Sequence, residues 1–206
     1  MKSKNIFILL AIIAVVIILY STLSGNKSQE EYKELIKKER EEKDRFMRTS
    51  QESPFTSNPE AFKGLTYFPP DEKYRVIAKL VPIENKKVVA LTTSDASEQS
   101  YLEYAYAEFD LDNRKSRLQI LEVMETGPQR GSLFLAFGDQ TSAGETYGAG
   151  RYLDIKKVPG ASTIELDFNK AYNPYCAYVE KYSCPFPPKE NLLDISILAG
   201  EKNYEK

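Results

Sequence analysis

The stretch "YLEYAYAEFDLD", residues 101–112, decides the fold, because its apolar residues recur at every second position. One face collects Ala105, Ala107, Phe109 and Leu111, and the other collects Tyr104, Tyr106 and Glu108. A period of two is typical of a β-strand with one buried face. The turn "DNRK" and a second run, "SRLQILEVME" at 116–125, follow directly. Together they predict an antiparallel hairpin.

Similar short runs lie on both sides of this hairpin. They are "YRVIAKLVPI" (74–83), "KKVVALTT" (86–93), "GSLFLAFGD" (131–139), "TYGAGRYLDIKKV" (146–158) and "STIELDF" (162–168). No ten-residue apolar helix pattern separates them, which argues against parallel βαβ units. We therefore expect a mainly β domain over residues 64–206, an antiparallel meander forming a barrel or sandwich.

The N-terminus predicts a membrane anchor over residues 1–25. Lys2 and Lys4 precede an apolar run from Ile6 to Tyr20, close to the ~17–25 residues that cross a bilayer. The basic flank favours a cytoplasmic N-terminus, so we expect a single-pass protein of the inner (cytoplasmic) membrane with an extracytoplasmic C-terminal domain. A cleaved signal peptide is the alternative, but Thr22-x-Ser24 matches a cleavage site poorly.

Residues 26–63 predict a charged amphipathic helix and a linker. Ser28 can cap the helix, and Glu39–Lys43 is one of several acid-first pairs spaced four residues apart. Apolar residues occur near the two ends of "SQEEYKELIKKEREEKDRFMR" (28–48), and its middle is charged all round. This pattern indicates a solvated spacer helix whose ends contact the domain, since a sustained heptad is missing. Pro54 and Pro59 then interrupt it.

The composition excludes several function classes. The chain has no histidine, only two cysteines and a net charge of −2. Ser-His-Asp and Cys-His catalysis are excluded because both use histidine as the base. A zinc site of the usual Cys/His kind is excluded because two cysteines are too few ligands. No basic face indicates a nucleic-acid partner. "GAG" at 148–150 lacks the helix of a dinucleotide fingerprint and predicts a bulge or a close backbone approach. We therefore expect no cofactor and no metal.

The last third of the chain carries longer motifs. "FGDQTSAGETYGAGRYLDI" (137–155) and "LDFNKAYNPYCAYVEKYSCPFPPKENLLDISILAGEK" (166–202) resemble the DUF1684 family, bacterial and archaeal proteins of unknown function. The resemblance extends over roughly residues 33–202. Family members often have Arg where this chain has Lys170, Pro where it has Tyr175, and Arg where it has Leu192. The resemblance implies no activity, but it places these residues in the family signature: Tyr147, Gly148, Gly150, Arg151, Asp167, Asn169, Asn173, Pro174, Cys176, Cys184 and Pro185.

Five of these residues form a candidate ligand site: Tyr147, Arg151, Asp167, Asn169 and Asn173. The guanidinium of Arg151 suits a carboxylate or a phosphate, and a barrel mouth lined this way would bind a small polar or anionic ligand. In the structural alternative, Arg151 pairs with Asp167 to lock the C-terminal segment. Asn169 and Asn173 would then cap turns through bonds from side chain to backbone.

Cys176 and Cys184 are separated by seven residues, which does not match a C-x-x-C redox motif. An exported, oxidising location favours a structural disulfide between them. Family members without an export signal would keep the pair reduced, so the thiol form stays open as an alternative.

Two functions follow from the sequence. The first is a membrane-anchored, extracytoplasmic module that binds a small ligand or acts as a scaffold. The alternative is a histidine-free hydrolase or lyase, with Arg151 as anion clamp and Asp167 or a tyrosine as acid/base. An enzyme should bring Arg151 and an acid to an open pocket, whereas a scaffold should bury their contact.

Overall fold

The computed structural model describes the backbone of residues 2–205 and the side chains of Ile13 and residues 27–205. A long helix, α1 (Lys2–Thr49), precedes the β-rich part. The strands are β1 (Arg75–Pro82), β2 (Val88–Thr92), β3 (Glu98–Leu111), β4 (Arg114–Val123), β5 (Leu133–Phe134), β6 (Ala136–Phe137), β7 (Arg151–Tyr152) and β8 (Thr163–Asp167). A single-turn helix, α2 (Tyr175–Tyr178), and 3-10 turns at Pro59–Ala61, Glu72–Tyr74, Phe168–Lys170 and Lys189–Asn191 complete the described elements.

The main sheet has the order β5-β4-β3-β1-β8, with β2 also paired to β3, and every pairing is antiparallel. The predicted hairpin is confirmed, because β3 and β4 pair up to Leu111 and Arg114. Asp112 and Asn113 form its loop with φ of 50° and 60°. Two positive φ values match a type I′ turn, whose twist fits the hairpin.

The prediction of a mainly β, antiparallel fold is confirmed, but the barrel is wrong. In the described part of the chain, β5 and β8 each have one neighbour, so the sheet is open at both edges. The runs at 131–139 and 146–158, expected to be full strands, contribute only the short strands β5, β6 and β7. β6 and β7 pair in a separate two-stranded sheet. A barrel would need longer strands at these positions to close.

The core lies on the apolar face of the central hairpin. Ala107 and Phe109 of β3 are buried with Leu118 and Ile120 of β4, as the alternation predicts. A C-terminal extended segment covers them, with alternate residues buried: Leu193, Ile195, Ile197 and Ala199. Burial of these side chains helps to fix the C-terminal segment, at roughly 25 cal/mol per Å² of apolar surface.

Residues 28–48 of helix α1 pack on the β-rich part through the two apolar ends of this stretch, as expected, although α1 begins at Lys2 and Ser28 is therefore not its cap. Ile36 and Met47 are each 1% exposed. The charged middle, expected to be solvated, also contacts the domain. The predicted pair Glu39–Lys43 is replaced by two tertiary ion pairs, Glu39–Lys170 at 2.8 Å and Lys43–Glu201 at 3.4 Å. This part of the helix is therefore packed against the β-rich part along its length and is not a solvated spacer.

Within the described residues, no helix is both long and apolar enough to cross a bilayer. The anchor predicted over residues 1–25 depends on side chains that, apart from Ile13, lie outside the described residues. It stays a prediction.

Candidate functional site

Arg151 is sealed inside the protein. Its side chain, at the start of β7, is 1% exposed. Its Nη2 donates to Asp139 Oδ2 at 2.8 Å and to the Ile197 carbonyl at 3.0 Å, and its Nη1 donates to the carbonyls of Ala199 and Glu201. The partner acid is thus Asp139, and the expected pairing with Asp167 is wrong. Arg151 fastens the C-terminal segment to β7, which matches a scaffold role.

Asp167 and Asn169 join three segments at the end of β8. Asp167 Oδ1 accepts hydrogen bonds from the Tyr32 hydroxyl of α1 at 2.8 Å and from the Asn169 backbone N–H at 3.1 Å. The Asn169 amide pairs reciprocally with the backbone of Asp71, at 2.8 and 2.9 Å. Both residues therefore act as caps that hold α1 and the 69–72 segment on the sheet, as the structural alternative proposed for Asn169.

Asn173 belongs to a buried polar cluster around Glu201. Its Nδ2 donates to Glu201 Oε1 at 2.8 Å, and the Tyr178 hydroxyl donates to the same oxygen at 2.6 Å. Lys43 of α1 reaches Glu201 Oε2 at 3.4 Å. Burial raises the pKa of Glu201 and lowers the pKa of Lys43, against the opposing effect of their attraction. The cluster links α1, α2 and the C-terminal segment.

Tyr147 lies beside the cysteines. Its hydroxyl is 3.8 Å from Cys176 Sγ, and the Cys176 backbone N–H donates to Cys184 Sγ at 3.2 Å. Both cysteines are buried thiols in this structure. A hydrogen bond from Cys184 lowers the pKa of Cys176 to about 6. The predicted disulfide bridge is not formed in this structure and stays a prediction.

The five candidate residues do not meet in one pocket. Arg151 and Asn173 both bond to Glu201, through its backbone carbonyl and its carboxylate respectively, whereas Tyr147 lies beside the cysteines. Asn169 alone of the five lines the groove between α1 and the β-rich part, called here the helix groove, of ≈ 390 Å³. One wall is α1: Ile36, Glu39, Arg40, Lys43, Phe46 and Met47. The opposite wall is Tyr67, Asp154, Asn169, Lys170, Ala171, Tyr172 and Tyr175.

Two of the three cations in the helix groove are neutralised. Lys170 pairs with Glu39 and Lys43 with Glu201. Arg40 instead donates to two carbonyls, Phe68 O at 2.8 Å and Asn169 O at 3.2 Å. No carboxylate among the described residues lies within ion-pair distance of Arg40. Asp167 attracts the Arg40 charge from beyond ion-pair distance, so Arg40 has no direct acidic partner.

Two buried polar atoms of the helix groove have no hydrogen-bond partner among the described residues. They are Arg40 Nε and the Tyr67 hydroxyl oxygen. The Arg40 guanidinium stacks on the Tyr67 ring, 4.4 Å from its centroid. Burial lowers the pKa of Arg40 and raises the pKa of Tyr67. An unsatisfied buried polar group costs about 1–3 kcal/mol, which an acceptor placed at that group would recover.

The sequence pattern did not point to Arg40, because the charge on all sides of the middle of this helix predicts exposure to solvent. A weak signal was present. Ile36 stands four residues before Arg40, where a partner acid would be most favourable. Asp44 stands four residues after it, but its Oδ1 accepts from the Leu65 backbone N–H at 3.0 Å. Glu201 and Tyr67 carry no signal, because tertiary packing alone brings them to α1.

Comparison with known proteins finds relatives without an assigned activity. Residues 60–202 match the model of a family described as "Protein of unknown function (DUF1684)". The solution NMR structure of the uncharacterised protein from gene locus rrnAC0354 of Haloarcula marismortui is 35% identical, with a TM-score of 0.64. That match covers 86% of this chain and 97% of the archaeal chain. No curated protein matches this chain.

Proposed function

The chain belongs to the DUF1684 family, and because that membership brings no activity with it, we propose a function from the helix groove itself. We propose that the protein is a binding module that takes a small oxyanion, a carboxylate or a phosphate group, in this groove. The observation that carries the proposal is Arg40, a partly buried guanidinium with no acidic partner in the described part of the chain.

The chemistry of the groove supports an oxyanion. A guanidinium binds carboxylate and phosphate oxygens through directed N–H groups, and its attraction strengthens as water is excluded. Tyr172 offers a flat apolar wall, with Lys43 Nζ 4.1 Å from its ring centroid. Ile36 and Phe46 add apolar surface. Such a mixture of apolar walls and a few directed polar groups is typical of small-molecule sites.

The proposed location is the outer side of the cytoplasmic membrane, with residues 1–25 as the anchor. Lys2, Lys4 and the apolar run that follows support it. An alkaline phosphatase fused to the C-terminus should be active in intact cells, and an inactive fusion would contradict this location. We do not propose the hydrolase or lyase, because its anion clamp, Arg151, is sealed and already occupied by Asp139 and three carbonyls.

Thermal unfolding of the full chain in a non-ionic detergent tests the binding proposal. Sodium phosphate, sodium acetate and sodium chloride are compared at equal ionic strength. At about 100 times its Kd, a bound anion adds about 2.7 kcal/mol of stability, which raises Tm by about 5–10 °C for a chain of this size. We expect this shift with phosphate or acetate, and none with chloride.

Matched arginine variants assign the shift to the groove. Arg40→Gln should abolish it, because the guanidinium is lost. Arg45→Gln, at an exposed position of the same helix, should keep it, because the net charge changes equally. Equal shifts in both variants, or no shift above chloride in the wild type, would refute the proposal.

A further inference from the structure

Cys176 and Cys184 form a pair of buried thiols that the proposed function does not use. Cys176 lies in α2 and is 6% exposed, and Cys184 lies in the segment that follows and is 7% exposed. The two side chains form a hydrogen bond with each other, and the Cys176 backbone N–H donates to Cys184 Sγ at 3.2 Å. The two sulfur atoms are therefore neighbours in the folded chain.

The turn between β2 and β3 holds Cys184 in place. The Cys184 backbone N–H donates to Ser94 Oγ at 3.1 Å, and its carbonyl accepts from the Ser94 N–H at 3.0 Å. The next hydroxyl, Ser183 Oγ, donates to Asp95 Oδ1 at 2.8 Å. Although the spacing of the cysteines is not C-x-x-C, tertiary hydrogen bonds thus place Cys184 beside Cys176.

The two thiols have unequal surroundings. Hydrogen bonds from the side chains of Cys184 and Ser94 lower the pKa of Cys176 to about 6, against the opposing effect of burial. The Tyr147 hydroxyl, 3.8 Å from Cys176 Sγ, acts in the same direction. The contact with Cys176, together with burial, raises the pKa of Cys184. At neutral pH Cys176 is therefore a thiolate, the nucleophilic form, and Cys184 keeps its proton.

Three tyrosines lie near enough to the pair to interact with its charge: Tyr147, Tyr152 and Tyr101. Burial raises the pKa of Tyr147 to about 12 and also raises the pKa values of the other two. All three hydroxyls therefore keep their protons at neutral pH and add no negative charge that would oppose a thiolate at Cys176.

Burial limits which oxidants reach the pair. The sulfur of Cys176 has little exposure, but Ser94 and Ser183 beside the pair are exposed, so the thiols lie close to the surface. Hydrogen peroxide is little larger than water, whereas a disulfide oxidant must bring one of its own sulfur atoms onto the attacking thiolate. The site therefore suits a small hydroperoxide better than a disulfide.

We propose that the pair is a peroxide-reactive dithiol, in which Cys176 attacks hydrogen peroxide and Cys184 converts the product to a disulfide. The Cys176 thiolate bonds to one oxygen, the O–O bond breaks, and the other oxygen leaves as hydroxide, which takes a proton to become water. Cys176 is now a sulfenic acid. The Cys184 sulfur attacks the Cys176 sulfur, the S–O bond breaks, and the hydroxyl leaves with the Cys184 proton as water. The thiols have given two electrons to the peroxide, and a dithiol reductant returns them by thiol–disulfide exchange.

The first test follows the intact mass of the reduced full chain, in detergent, after addition of hydrogen peroxide at a concentration low enough that the first attack limits the rate. The chain should lose two hydrogens, and dithiothreitol should restore them without unfolding. The rate should rise from about pH 5 to about pH 7 and then level off, because the Cys176 thiolate is by then fully formed. An ordinary thiol, with a pKa of about 8.5, would keep gaining rate to higher pH.

Serine variants assign the two roles. In Cys184→Ser, dimedone, which traps sulfenic acids, should label Cys176 after peroxide treatment. In Cys176→Ser, Cys184 should be labelled at least tenfold more slowly, because burial keeps its thiol protonated. Tyr147→Phe removes a donor to the thiolate and should move the midpoint of the pH–rate profile to higher pH. Tyr106→Phe, on β3, is the control and should leave the profile unchanged.

Three results would overturn the proposal. A bridge that dithiothreitol does not reduce in the folded chain would be a structural staple. Faster labelling of Cys184 than of Cys176 would reverse the assigned roles, and a rate that follows an ordinary thiol pKa would remove the activated thiolate. The first and last of these use the wild-type chain, so they hold even if a serine variant fails to fold. The proposal is independent of the oxyanion groove, which neither cysteine lines.

Discussion

The side chains of Arg40 and Arg151 are both at least partly buried, but their surroundings give them different roles. Arg151 is paired with Asp139 and donates to three carbonyls, so its charge and most of its donors are used within the fold. Arg40 has carbonyl partners only. The Nε atoms of both arginines lack an acceptor, so the two residues differ in the carboxylate partner and in access to the groove. A buried charge is costly without a partner. The difference identifies Arg40, rather than the signature arginine, as the residue available to an anion.

The polar cluster around Glu201 gives a prediction for one hydroxyl group. Tyr178→Phe removes the donor that lies 2.6 Å from Glu201 Oε1 in a buried position. Hydrogen bonds to charged groups contribute about 1.5–3 kcal/mol, so the free energy of unfolding should fall by about that amount in urea titrations. Tyr106→Phe is the control, with an expected change within about 0.5 kcal/mol. A Tyr178→Phe variant as stable as the control would show that the cluster does not stabilise the fold.

At the scale of elements, helix α1 forms one side of the helix groove, which its charge pattern did not predict. It contributes Arg40 and Lys43 to the helix groove and buries Ile36 and Met47 against the β-rich part. Glu39 and Lys43 form ion pairs with the domain, whereas other charged residues pair along the helix, as Asp44 does with Arg48. The groove therefore exists only while α1 is docked, and a ligand that bridges its two walls should favour docking by linkage.

The entry to β7 depends on a glycine. Gly150 has a φ of +87°, and a Cβ atom there would lie 2.6 Å from the Phe137 carbonyl oxygen. The close backbone approach predicted for "GAG" is thus confirmed. Gly150→Ala should cost about 1–2 kcal/mol for the backbone conformation and about 1–3 kcal/mol more for overpacking.

Gly160 separates these two costs, because it has a φ of +73° but nothing within 4 Å of the added Cβ. Gly160→Ala should therefore show the conformational cost alone. Urea unfolding of both variants measures the difference. Equal losses of stability would mean that the structure around Phe137 relaxes to accept the added Cβ atom with no loss of stability.

For the whole molecule, local pattern predicted more of the fold than of the site. The alternation at 101–112 gave the hairpin, its buried face and the β class, because strand periodicity is local. It did not give the open edges, since closure depends on pairing between distant strands. The predicted site residues Arg151, Asp167 and Asn173 are buried polar groups that hold segments together. Arg40 and Tyr67 meet only through packing of α1, which no spacing in the sequence encodes.

The most direct test of the oxyanion groove is ¹⁵N NMR of the arginine Nε–H groups in the full chain, titrated with inorganic phosphate. The spectrum of Arg40→Gln assigns the Arg40 signal. Because Arg40 Nε lacks a partner, its N–H signal should move in a saturable way and by more than any other arginine signal. An Arg40 signal that stays in place, or that moves linearly along with exposed arginines, would contradict the account.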